Sequence, residues 1–123
     1  MIRGVVTGGR EAIIHLQIRG PEGRKHELDA VLDTGFTEMV SRPPSAIDAL
    51  GLLWVETNEV ILADDTVVQS DVYEAIVSWD GQDRPVIVHS LEGSPLLGMT
   101  MLQQHLLTML IVDDGAVTIE RAP

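Results

Sequence analysis

A chain of 123 residues is expected to form a single domain over 1–123, long enough to bury a sizeable core. The absence of cysteine excludes a disulfide scaffold, a thiolate zinc site and a cysteine nucleophile, and only 3% aromatic residues leave the core to aliphatic side chains. Eight basic against nineteen acidic residues, net charge −11, leave little to neutralise phosphates, so a nucleic-acid partner is not expected.

In chain order, short strands punctuated by turns dominate. Terminal strands are expected near Arg3–Thr7 and Val117–Glu120. Ala12–Arg19 alternates around Ile14, Leu16 and Ile18, the pattern of a half-buried strand, and Gly20-Pro21-Glu22-Gly23 reads as a turn. Leu28–Leu32 is a strand leading into Asp33-Thr34-Gly35. Ser45 as N-cap and Gly51 as stop frame a short helix over Ala46–Leu50. Val60-Ile61-Leu62 rises to Ala63-Asp64-Asp65-Thr66 and Val67-Val68 returns, a hairpin with an acidic tip. Strands follow at Val72–Trp79 and Pro85–His89, a second helix at Met99–His105, and a last hairpin pairs Leu107–Val112 with Ala116–Glu120. The fold class is all-β, a compact closed barrel with one or two short helices.

The opening residues lack the apolar stretch of a signal peptide. The longest aliphatic run, Leu106–Val112, falls far short of the ~20 residues that span a bilayer. A soluble, cytoplasmic protein without a membrane partner is expected. The charge is uneven: residues 43–123 hold two basic and thirteen acidic side chains, which favours neutral or basic ligands there. His15, His26, His89 and His105 show no metal-ligand spacing, so no metal is expected and each reads as a surface or packing residue. Met99, Met101 and Met109 read as core filler.

The chemistry concentrates at Asp33-Thr34-Gly35 after the apolar Ala30-Val31-Leu32. Taken alone, the tripeptide is also what a plain turn after a strand would use. Sixty residues on, Pro95-Leu96-Leu97-Gly98 opens a helix, with the hairpin between. This order of motifs, from Ala30–Thr37 through Leu50-Gly51-Leu52 and Leu62-Ala63-Asp64 to Pro95–Met99, resembles the retropepsin-like aspartic proteases, most closely their small bacterial members.

The resemblance implies an aspartic endopeptidase acting on peptides or proteins. Asp33, Thr34 and Gly35 would form the catalytic loop, and Leu96, Leu97 and Gly98 its structural support. The tip Ala63, Asp64, Asp65 and Thr66 would be a flap over substrate, and no cofactor is needed. A single Asp-Thr-Gly supplies half a carboxylate pair, so a two-fold homodimer is implied, with Asp33 on the axis. Thr34 would tie its loop to the facing one, and Gly35 would bend the backbone and bring an amide to the carboxylate. The tip departs from the glycine-rich flaps of viral members. Phe36 departs from their small residue and reads as core packing. Two other readings stand beside this one: a catalytically silent module of the same fold whose acidic hairpin binds a basic partner, and a monomeric ligand-binding barrel.

Overall fold

The computed structural model describes residues 1–123, in ten strands and two short helices. The strands are β1 (Ile2–Val6), β2 (Ala12–Arg19), β3 (Lys25–Leu32), β4 (Val40–Arg42), β5 (Leu53–Ile61), β6 (Val67–Trp79), β7 (Gln82–Ser90), β8 (Leu96–Leu97), β9 (His105–Met109) and β10 (Ala116–Arg121). Helix α1 is Pro44–Leu50 and α2 is Met99–Leu102.

All ten strands belong to one sheet in the order β5-β6-β7-β4-β8-β3-β2-β1-β10-β9. A further pairing of β6 with β2, through Ile18 opposite Val77 and Arg19 opposite Ile76, bends the middle six strands into a closed barrel. The two ends of the sheet stay outside the ring, so β5 and β9 each have a sheet neighbour on one side only.

Period-two patterning fills the barrel. Along β2, Ile14, Leu16 and Ile18 are buried while His15 between them is exposed. Leu28 and Ala30 of β3, Val77 and Trp79 of β6, Val86 and Val88 of β7, and Leu97 of β8 join them in one apolar core. Burial of each large aliphatic side chain contributes about 1.5–3 kcal/mol, which makes this core the main source of stability. Phe36, Val60 and Val72 are also buried but lie apart from it. Phe36 meets the buried ring of His89 edge-on at 6.1 Å, and Val72 is the cross-strand neighbour of His89.

Several sequence expectations are corrected. Ser45 is not the N-cap of α1: Pro43 is, in extended conformation, with no side-chain cap bond. The helix starts at Pro44, because proline has no N–H to lose in a first turn. Gly51 does end it, with φ +65°. Helix α2 stops at Leu102 rather than His105, because Gln104 takes φ +64° and turns the chain into β9. The last hairpin is shifted in the same way: Leu110–Val112 belong to its loop. The strand expected from Val72 is the far half of β6, whose near half is the return arm of the acidic hairpin. Of the three methionines, Met101 is in the core, while Met99 and Met109 are exposed. No helix is long and apolar enough to cross a membrane.

Candidate active site

Asp33 stands where β3 leaves the barrel, and backbone bonds from several directions fix its loop. Short strand β8 runs parallel to the end of β3, with Leu96 beside Val31 and Leu97 beside Leu32. Val31 N–H donates to Pro95 O at 2.9 Å and Asp33 N–H to Leu97 O at 3.0 Å. Leu97 is fully buried in the barrel core, so the strand behind the loop is anchored by packing. The resemblance assigned this support to Leu96, Leu97 and Gly98, and the structure brings those residues to the loop.

The loop then folds back on itself. Gly35 N–H donates to Asp33 Oδ1 at 2.9 Å, and Phe36 N–H to Asp33 O at 3.1 Å. Beyond it, Gly98 N–H donates to Met39 O at 2.9 Å, Met99 N–H to Phe36 O at 2.8 Å, and the Thr100 hydroxyl to Thr37 O. Gly98 is needed for closeness rather than for an unusual backbone angle. Its conformation is extended, but a Cβ there would lie 2.6 Å from Phe36 O and would collide with Glu38 O. At Gly35 a Cβ would crowd Asp33 Oδ1 at 3.2 Å, so glycine keeps one face of the carboxylate clear.

The hairpin tip reaches this loop: the same Cβ position on Gly35 is 3.5 Å from the Ala63 methyl group. The tip closes without glycine by two devices. Asp65 itself takes the left-handed conformation, φ +65°. Asp64 Oδ1 accepts the Thr66 N–H at 3.0 Å, and the Thr66 hydrogen bonds hold the Asp64 carboxyl below its ordinary range. Asp64 therefore shapes the turn. Ala63 is the tip residue placed against the Asp33 loop.

On its other side Asp33 borders a hollow of about 270 Å³, shared with Thr34, Arg10, Leu107, Met109 and Ile111. Asp33 is half-buried there and Thr34 is exposed. The Thr34 hydroxyl forms no hydrogen bond within the chain, so it is available to a neighbour. Met109, Leu110, Ile111 and Val112 continue the hollow as an exposed apolar strip along the β9 edge and its loop. Sequence reasoning missed Arg10 and this strip. Aliphatic patterning marks Leu106–Val112, but a buried strand carries the same pattern, and only the strand order shows that nothing covers it.

His89 packs behind Phe36 with 1% of its surface exposed and neither ring nitrogen hydrogen-bonded. Burial pushes its pKa down, and the Glu38 carboxylate, 3.4 Å from Nε2, partly offsets this. His15 lies far off along β2, between Asp29 and Glu27, and His105 accepts the Trp79 indole N–H. Nowhere do three His, Asp or Glu side chains gather as a metal-binding group. Compared with protein-family models, with curated proteins and with solved structures, the chain matches none.

Proposed function

We propose that this chain is one half of a retropepsin-like aspartic endopeptidase, completed by a second copy that brings another Asp33 to the same site. What supports the reading is one arrangement. A lone carboxylate sits on a stiffly bonded Asp-Thr-Gly loop, a hairpin tip stands on one side of it and an uncovered apolar strip on the other. A plain turn has no need of either neighbour.

In that dimer the two carboxyl groups hold one proton between them, because close like charges resist double ionisation. The ionised Asp33 takes a proton from water as the water oxygen attacks the peptide carbonyl carbon. The protonated Asp33 gives its proton to the carbonyl oxygen, forming a gem-diol. When the C–N bond breaks, one proton moves to the leaving nitrogen and another returns to the pair. The balance closes with two carboxylates and one water, and the pair titrates as a unit.

The Gly35 amide orients one carboxylate oxygen by donating to it, leaving the other free for water. The Thr34 hydroxyl has a partner across the two-fold axis. The tips around Ala63 close over the substrate backbone and exclude bulk water. The test is a peptide library incubated at acidic and neutral pH over a range of protein concentrations, with and without pepstatin. The proposal expects pepstatin-sensitive internal cleavage whose rate per protomer rises with concentration until the dimer is saturated. Cleavage per protomer that is independent of concentration, in a protein sedimenting as a monomer, would exclude the shared site.

A further inference from the structure

We infer that the free edge of β5 is a docking site for a basic, partly apolar segment of a protein partner, which adds to the sheet as an extra strand. The inference does not depend on the reading of Asp33, since it rests only on the free edge of β5 and the charge beside it.

Strand β5 spans Leu53–Ile61 and pairs only with β6, so one row of backbone N–H and C=O groups along it is unpaired. Sheet edges are ordinarily protected by brevity, by lysine or proline, or by bulges. This edge is nine residues long and contains no lysine or proline. Its single irregularity, between Trp54 and Glu56, leaves Glu56–Ile61 in regular register. The side chains are equally uncovered, with Trp54 and Ile61 each 59% exposed and Leu53 and Val55 exposed beside them. At the root of the strand lies a groove of about 690 Å³ lined by Leu53, Glu74, Ile76, Pro85, Ile87 and Arg19. Main-chain pairing gives such addition its affinity and side-chain pockets its specificity.

Charge decides the occupant. Residues 53–74 carry Glu56, Glu59, Asp64, Asp65, Asp71 and Glu74 and no basic side chain. A second copy offering the same edge would set Glu56 and Glu59 against their own kind. A segment alternating lysine or arginine with aliphatic residues meets both the acids and the groove.

The experiment uses the full chain carrying Asp33→Asn, which keeps the probe intact whatever Asp33 does. The probe is an end-capped peptide as long as β5 that alternates lysine and valine, with a glutamate-valine counterpart as control. Amide NMR shifts and Trp54 fluorescence report binding, and buried Trp79 is an internal reference. Saturable binding with shifts along Leu53–Ile61 is expected, weakened about tenfold or more by Glu56→Lys with Glu59→Lys. Glu56→Gln with Glu59→Gln should weaken it less. Binding should also fade as salt approaches about 1 M, where the screening length is about 3 Å. No binding, equal binding of the glutamate peptide, or shifts confined to Asp33–Gly35 and Ala63 would overturn the inference. So would a dimer in sedimentation that the lysine variants dissociate, since the edge would then belong to a second copy.

Discussion

Gly98 shows how tightly the candidate site is built at the scale of single residues. The atoms that meet a Cβ there are the backbone carbonyls of Glu38 and Phe36, which have no rotamer to retreat into. Gly98→Ala should therefore destabilise the fold by about 3 kcal/mol, the upper end of ordinary overpacking costs, measured as a fall in the urea midpoint. Two histidines should make stability depend on pH in opposite directions. His89 is held neutral by burial, its pKa lowered from 6.5 despite Glu38. Below that value the unfolded chain takes up a proton that the folded one resists. Stability is thus intact above 6.5 and lost as pH falls toward the lower folded value, and His89→Gln should flatten the fall of denaturation midpoints below pH 6.5. His15 is raised by hydrogen bonds to Asp29 and then Glu27, at 2.7 Å each. What its charged form contributes is present below 6.5 and lost as pH rises through the raised value. An NMR titration of the His15 ring should show that raised midpoint, and Asp29→Asn should bring it down. None of this environment is visible in sequence. Spacing marks Asp33 and Gly98, but the closeness that makes Gly98 obligatory, and the burial of His89, arise from pairings between distant strands.

Among the elements, the last hairpin pairs as expected, with its first strand shifted to His105–Met109. The terminal segments are expected as strands, and the structure places them inside the sheet: β1 lies between β2 and β10, and β10 between β1 and β9. Val117 and Ile119 of β10 are core residues. Deleting 116–123 should therefore unfold the protein, seen as loss of the β-sheet circular dichroism signal. In the proposed dimer, the element that would meet the second copy is β9 with its loop. Leu110→Lys together with Ile111→Lys touches only exposed side chains. It should leave the monomer folded and weaken self-association about tenfold or more in sedimentation. An unchanged dimer would move the interface elsewhere. Alternation reveals β2 because one of its faces is buried and the other wet. The first half of β5 is illegible by the same test, because both of its faces are exposed and no period is selected. Helix limits slip for local reasons: Pro44 begins α1 two residues before the Ala46 start that a Ser45 cap would set, and Gln104 ends α2 through a conformation that glycine more often signals.

At the scale of the whole molecule, the all-β class and the strand rhythm follow from composition and turns. Barrel closure does not, since it rests on a short ladder between β2 and β6 that joins Ile18 to Val77, 59 positions further along the chain. Asp33 has the hairpin tip on one side and the β9 edge on the other, and this convergence underlies the proposed shared-carboxylate enzyme. That central claim meets its most direct test in the peptide turnover of Asp33→Asn beside the wild type at equal concentration, once sedimentation shows both to be folded dimers. Asparagine keeps the shape and can still accept the Gly35 N–H, but it removes the base and the acid from both halves at once. Turnover of Asp33→Asn should be lower by about a thousandfold or more, with a bell-shaped pH profile in the wild type alone. A folded Asp33→Asn dimer that cleaves peptides as fast as the wild type would contradict it.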